Sequence, residues 1–346
     1  TTSASTCRHK RNNRRTMRNK RFLNRVTTSR LTLPAACLLA VLCWLAGSLL
    51  VPACGHKGES PLSPEALAAL PPSWAGQLLC LLLCGAIGYL LIELNNRYAI
   101  IRMRASVQTA IFFLVVAASP GLHWHATGMT AATLMFIALF FLFGSFQQPN
   151  PTSHLFHAFL SLGIGSVLLP QSILFAPVLW IGAYNFQSLT PRSFLASLLG
   201  LAFPYWLLLG YACAVGDMEV LYRPLHEMVG FRPLLFRVEP WEAGTLSYLF
   251  VLYVVATVHC LVTGLDDKIR TRCYLHFLIL LAFCTFAYIA LQPWMASLLT
   301  PLAAAVTSIL AGHLFVLSNS RATNWFFLAM LALLPALFIV NLWTLL

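Results

Sequence analysis

The sequence predicts an all-α, polytopic integral membrane protein with about eleven transmembrane helices, and its composition is the first reason. Of the 346 residues, 59% are hydrophobic and only 9% are charged. A soluble domain has about 25% charged residues because its surface must face water. Apolar runs of about 20 residues, long enough to cross a hydrocarbon core of about 30 Å, recur along the chain. The runs are continuous rather than alternating, which favours helices over membrane-spanning strands.

The first 32 residues are predicted to form a basic, disordered tail on the cytoplasmic side. Ten of the 22 Lys and Arg residues lie between positions 8 and 30, directly before an apolar run that begins at Leu33. Such a block is typical of the cytoplasmic flank of a first membrane helix. It also predicts contact with anionic phospholipids, to which each cation near the surface contributes about 1 kcal/mol. We expect no nucleic-acid partner; a basic arm that binds RNA is the alternative interpretation.

The remaining residues, 33–346, are predicted to form a single helical membrane domain. Apolar runs separated by Pro, Gly and polar residues define the predicted spans. Pro170 leaves two options open, a turn between two spans or a kink within one. The predicted spans are 33–51, 74–94, 106–120, 129–146, 154–169, 171–190, 193–215, 244–263, 273–291, 295–317 and 324–343.

The charges of the loops predict the topology. With the N-terminus in the cytoplasm, the alternating loops place 18 Lys and Arg residues inside and four outside. Cytoplasmic loops carry an excess of Lys and Arg, so this arrangement is the expected one. We therefore predict a multi-pass protein of the bacterial inner membrane with its C-terminus outside. The two longest exterior loops are 52–73 and 216–243.

The second exterior loop contains the stretch RPLHEMVGFRPLLFR, which concentrates charge in an otherwise apolar chain. Arginine forks suit phosphate and pyrophosphate groups, so the stretch predicts a site for an anionic lipid or a glycan phosphate. His226 or Glu227 would then act as a base toward a sugar hydroxyl. The alternative is that the arginines pair with the acids of the same loop and with headgroups. The residues of this candidate site are Arg223, His226, Glu227, Arg232 and Arg237.

A second candidate site follows the second predicted span, in the stretch LNNRYAIIRMR. Glu93 and Arg97 are four residues apart and can pair on a helix. Tyr98 is expected at headgroup depth, where tyrosine is enriched. We predict a cytoplasmic interface turn formed by Glu93, Asn96, Arg97 and Tyr98. The alternative is a purely structural turn with snorkelling cations.

The sequence predicts no metal site and no cofactor. His123 with His125, and His154 with His157, form two pairs, but the predicted topology places them on opposite sides of the membrane. Two histidines without a third ligand make a poor zinc site, which favours interface histidines instead. Most cysteines fall within apolar runs, where Cys behaves as a small hydrophobe, so no disulfide is expected. Three further histidines lie near predicted cytoplasmic ends of spans: His259, His276 and His313.

Residues 90–215 resemble an uncharacterised family of polytopic inner-membrane proteins from Bacteroidota. The resemblance rests on ELNNRYAIIRMRASVQTAIFFLVVAASP and on the later stretch from FQQPNPTSHLF to FPYWLLLGY. The shared features are an Asn-x-x-Tyr turn with basic residues, paired helices around a Pro, an Arg-Ser helix start and a Phe-Pro-Tyr kink. The resemblance implies an inner-membrane location and a fold but no activity.

The function expected from the sequence is that of a non-enzymatic component or partner in cell-envelope assembly or secretion. The chain contains no Walker loop, GxSxG or HExxH motif, no acidic residue in the middle of a predicted span and no strong internal repeat. These patterns mark nucleotide-driven, hydrolytic and ion-coupled proteins. One alternative is an enzyme or translocase that acts on lipid-linked glycan precursors at the outer leaflet. Another is a facilitative transporter, suggested by the polar and aromatic residues Asn185, Gln187, Tyr205 and Tyr211.

Overall fold

The computed structural model describes residues 31–50, 74–101, 106–228, 238–263, 268–318 and 320–345, and this part of the chain is helical. Three short 3-10 segments, each beginning with proline, interrupt the α-helices at Pro120–Trp124, Pro170–Phe175 and Pro293–Met295. The α-helices are α1 (Thr32–Leu50), α2 (Trp74–Tyr98), α3 (Val107–Ala117), α4 (Ala126–Gly144), α5 (Thr152–Leu168), α6 (Ala176–Asn185), α7 (Pro191–Val215), α8 (Glu219–Met228), α9 (Pro240–Thr263), α10 (Ile269–Leu291), α11 (Ala296–Leu317) and α12 (Arg321–Leu345).

Eight of the described helices are long and apolar enough to cross a membrane, which confirms an all-α, multi-pass membrane protein. They are α1, α2, α4, α7, α9, α10, α12 and α11 together with its preceding 3-10 turn. Three predicted spans correspond to shorter helices: α3 has 11 residues, α5 has 17 and α6 has 10. The count of eleven crossings therefore stays a prediction.

Pro170 separates two helices rather than kinking one. Leu169, directly before it, is extended with φ −134° and ψ 88°, the conformation that proline favours in its predecessor, and this ends α5. The chain then reverses through the 3-10 turn, and Phe186 after α6 returns to the start of α5. There the backbone N–H of Gln147 donates to the Phe186 carbonyl at 3.0 Å.

Helix α11 forms the centre of the bundle and packs against α3, α4, α9 and α10. Nearly all of its residues are buried, including the run of small residues Ala303 to Ala305. Gly128 on α4 shows how close the helices approach, since a Cβ there would lie 2.6 Å from the Leu298 carbonyl oxygen. Without a hydrophobic force between helices in lipid, such backbone contacts are a main source of association.

A short repeat, which the sequence analysis missed, joins α4–α5 to α6–α7. Phe146 and Gln147 recur as Phe186 and Gln187 after 40 residues, and both glutamines adopt positive φ, 51° and 57°. The two turns meet, because the Gln147 Nε2 donates to the Gln187 Oε1 at 3.3 Å. The same spacing then relates Pro151 to Pro191, Ser153 to Ser193 and Leu155 to Leu195.

The basic residues gather at one end of the bundle. Contacts between Tyr98 and Tyr274, and between Cys260 and His313, bring together the last turns of α2, α9 and α11 and the first turn of α10. We call this the basic end. Of the seven Lys and Arg among the described residues, only Arg223 lies at the other end. The six at the basic end are Arg97, Arg192, Lys268, Arg270, Arg272 and Arg321.

Candidate functional site

The site predicted in residues 216–243 lies only in part within the described residues, as helix α8. Arg223 and Glu227 form an i,i+4 ion pair at 3.8 Å on this helix, and His226 is exposed. The side-chain amide of Gln171 donates to the Glu227 carbonyl at 3.2 Å, which ties α8 to the turn after α5. An exposed pair of this kind contributes about 0–1 kcal/mol, so an anion could compete for Arg223. Arg232 and Arg237 lie outside the described residues.

The predicted interface turn is an ordered helix end. The Asn95 Oδ1 accepts a hydrogen bond from the backbone of Ile101 at 2.8 Å, and Ala99 takes a positive φ of 49°. The Arg97 guanidinium lies 4.9 Å from the ring centre of Phe140. Asn95 rather than Asn96 forms the turn. Of the other predicted residues, Glu93 is half-buried, Asn96 is exposed and Tyr98 is buried.

Tyr98 belongs to an aromatic cluster at the basic end that the sequence did not reveal. The Tyr98 hydroxyl donates to the Phe140 carbonyl at 2.6 Å, and the Tyr274 hydroxyl donates to the Phe143 carbonyl at 2.9 Å. Arg270 donates to the Tyr274 hydroxyl from Nε at 2.9 Å. The cluster therefore ties the ends of α2, α4 and α10 together through hydroxyls that bond to helix carbonyls.

Replacement of Tyr274 by phenylalanine is expected to lower the free energy of unfolding by about 1 kcal/mol. The change removes one hydrogen bond to a buried carbonyl and one from a guanidinium, while the ring and its stack on Phe143 at 4.5 Å remain. Unfolding in mixed detergent micelles would measure the effect. The control is Tyr184→Phe, because Tyr184 is 72% exposed; equal stabilities of the two variants would contradict the assignment.

At the opposite end, an irregular buried segment joins α3 to α4. Ser119 and Thr245 share a hydroxyl–hydroxyl bond at 2.9 Å. The Asn341 amide donates to the Ala118 carbonyl at 2.8 Å and to the Thr245 hydroxyl at 3.1 Å. Buried backbone outside a helix must find hydrogen-bond partners within the protein, and these side chains supply them.

Three of the four histidines in the two sequence pairs have identified local contacts. His123 is buried and stacks on Trp44 with ring centres 3.6 Å apart, while His125 faces Trp241 at 6.4 Å. In the second pair, the His157 ring donates from Nδ1 to the Ser153 carbonyl at 2.6 Å on its own exposed helix face. His123, His125 and His157 therefore each have a local contact of their own.

A different set of ligand atoms converges near the basic end, on α9 and α11. We call it the histidine–cysteine cluster: His259, Cys260 and His313. Its three ligand atoms all lie within 4.8 Å of one another, and the Cys260 Sγ is 3.5 Å from the His313 Nδ1. The sequence placed both histidines near the same membrane depth but treated Cys260 as a hydrophobe. Equal depth on two helices was the signal that could have found it.

A lateral cavity of about 540 Å³ opens beside the first turns of α1. Its walls come from α1, α3, α9, α11 and α12, and they are hydrocarbon and aromatic except for Met330 and the hydroxyls of Thr32 and Tyr248. The first described residue, Leu31, lies on its rim. Ligand pockets commonly have volumes of about 300–1,000 Å³, so the cavity is large enough for part of a lipid.

No family model, curated protein or solved structure matches the chain. The resemblance of residues 90–215 to the Bacteroidota family therefore stays a prediction from motifs.

Proposed function

We propose that the chain is a bacterial inner-membrane protein that holds an anionic phospholipid in the lateral cavity and acts as a non-enzymatic component of an envelope assembly. The main support for the proposal is the position of Leu31, at the edge of the cavity and at the end of the basic segment. This residue lines the cavity and directly follows the block with ten Lys and Arg between positions 8 and 30. The lining of the apolar cavity thus begins at the residue that follows the cationic segment in the sequence.

The charges of the helix ends support one orientation of the chain in the membrane. The basic end carries six of the seven described Lys and Arg residues, and the N-terminal block adjoins the same end through α1. Cytoplasmic flanks carry the excess of basic residues. The basic end is therefore cytoplasmic in this proposal, where anionic lipids of the inner leaflet meet the block.

The walls of the cavity suit a hydrocarbon chain. Ala35 and Ile111 face it from α1 and α3, and Phe315 faces it from the last turn of α11. Each CH₂ group buried against such walls contributes about 0.8 kcal/mol relative to water. The lining is almost entirely hydrocarbon and aromatic, which favours a structural ligand over a substrate.

We expect wild-type protein to retain phosphatidylglycerol from a mixture with phosphatidylethanolamine, and Ala35→Trp to lose it. Ala35 lines the cavity and is exposed, so an indole there fills the cavity without disturbing the core. Native mass spectrometry from mild detergent measures the bound lipid. The matched control is Leu38→Trp, on the same helix, 63% exposed and not lining the cavity.

Three results would count against the proposal. They are equal lipid retention by both tryptophan variants, equal retention of neutral and anionic lipid by wild type, and retention unchanged after the ten basic residues are replaced by glutamine. Selective retention of an isoprenoid-pyrophosphate lipid that is lost in Arg223→Gln would instead favour the glycan interpretation of the exterior loop.

A further inference from the structure

The histidine–cysteine cluster lies where two helices of the core end side by side. His259 and Cys260 are consecutive residues near the end of α9, and His313 is near the end of α11. Cys260 is 1% exposed and His313 is fully buried, while His259 is only half-buried. Two ligands are thus fixed in the core and the third borders the surface.

We propose that this cluster binds one copper(I) ion through the His259 imidazole, the Cys260 thiolate and the His313 imidazole. Metal–nitrogen bonds of about 2.0 Å and metal–sulfur bonds of about 2.3 Å place two ligand atoms roughly 3.3–3.8 Å apart. The Cys260 Sγ and His313 Nδ1 are already at 3.5 Å. The distances from the His259 ring nitrogen to the other two ligand atoms are at most 4.8 Å. A rotation of the half-buried His259 side chain that shortens them by about 1 Å brings all three atoms to bonding geometry.

Charge selects the metal. A monovalent cation with one thiolate and two neutral imidazoles has no net charge, whereas a divalent cation would leave one positive charge in the apolar core. Buried net charge is costly, so the site favours the monovalent ion. Thiolate and imidazole ligands also suit copper(I), which is a soft cation. On binding, Cys260 releases its thiol proton to solvent, so the charge balances.

Residues around the cluster hold the ligands in place. The Thr263 hydroxyl donates to the His259 carbonyl at 2.8 Å, which closes the last turn of α9. Gly312, next to His313, packs tightly against α3, since a Cβ there would be 3.0 Å from the Gln108 side chain. Under the proposed orientation the cluster faces the cytoplasm, where thiols stay reduced.

The test measures copper(I) binding to the full chain in detergent under anaerobic conditions, by competition with a chromophoric copper(I) chelator. Wild type is expected to bind one copper(I) per chain. Cys260→Ser is expected to weaken binding at least about 100-fold, since loss of a direct ligand exceeds the 10–100-fold loss seen when a supporting residue is removed. Cys80→Ser, also a buried cysteine but on α2, is the matched control and should bind as wild type does.

A second variant keeps the test decisive if Cys260→Ser folds poorly. His259→Gln changes the half-buried ligand, and it should also lose copper(I) while its helical circular dichroism and detergent elution stay unchanged. X-ray absorption should report two nitrogen ligands and one sulfur ligand in wild type. Absence of binding, binding unchanged in Cys260→Ser, or one zinc(II) per chain in place of copper(I) would each overturn the proposal.

Discussion

Replacement of Gly200 by alanine is expected to destabilise the bundle by about 1–3 kcal/mol, the usual cost of extra volume in a packed interior. A Cβ at this position would lie 2.4 Å from the Phe156 carbonyl oxygen and 3.1 Å from the Leu160 nitrogen. Both atoms belong to the backbone of α5 and cannot rotate away. The contact is reciprocal, because a Cβ on Gly163 of α5 would lie 2.8 Å from the Leu201 carbonyl oxygen of α7.

The matched control is Gly210→Ala on the same helix, where nothing lies within 4 Å of the added Cβ. That change should stabilise the protein by up to about 1 kcal/mol through helix propensity alone. Unfolding in mixed detergent micelles measures both variants. Since α8 packs on α7 and on the turn after α5, Gly200→Ala should also expose α8 to protease. Equal stabilities of the two variants would show that α5 and α7 do not approach this closely.

Acidification is expected to destabilise the fold through His123. Burial lowers the pKa of His123 to about 3, although the hydrogen bond from its Nε2 to the Val116 carbonyl partly offsets this. The unfolded chain takes up the proton near pH 6.5 and the folded chain does not. The contribution of neutral His123 to the free energy of unfolding is therefore fully present above pH 6.5. It decreases as the pH falls toward 3, by about 1.4 kcal/mol for each pH unit. Between pH 6.5 and pH 5 the loss is about 2 kcal/mol.

The difference between wild type and His123→Gln isolates this effect from other titrating groups. The glutamine amide can still donate to the Val116 carbonyl but takes up no proton. Below pH 6.5, the free energy of unfolding of the variant should therefore fall less steeply with decreasing pH than that of wild type, by about 1.4 kcal/mol per pH unit. Free energies of unfolding at pH 7.5, 6 and 5 provide the measurement. Parallel pH dependences in both proteins would show that folding does not lower the pKa of His123.

The membrane class and the helices followed directly from the sequence because both depend on local composition. Long apolar runs such as 193–215 and 324–343 become α7 and α12 with small shifts at their ends. The span 106–120 did not become one long helix, since Ser119 before Pro120 leaves the helical region with ψ 76°. Because proline restricts the residue before it, this break could have been predicted from the sequence. The packing of the 3-10 segment against α12 could not.

The contacts within the clusters do not follow from any local sequence pattern, because they join distant parts of the chain. Tyr274 bonds to a carbonyl 131 residues away, and Cys260 meets His313 across 53 residues. Neither spacing resembles a local motif. The ion pair of Arg223 with Glu227 was foreseeable because it lies within one helical turn. The proposed lipid and metal sites both arise where helices meet, and single-chain periodicity does not report which helices become neighbours.

The bond from Asn341 to Ala118 has a consequence for the order in which the protein is made. Its two residues are 223 positions apart. The Ala118 carbonyl, directly after α3, is therefore synthesised long before its donor on α12. At synthesis rates of about 5–20 residues per second, that interval lasts roughly 10–45 s. Helix α3, with 11 residues, is too short to cross a core of about 30 Å by itself. We therefore expect another group, from water, lipid or protein, to satisfy the Ala118 carbonyl until the last helix is made.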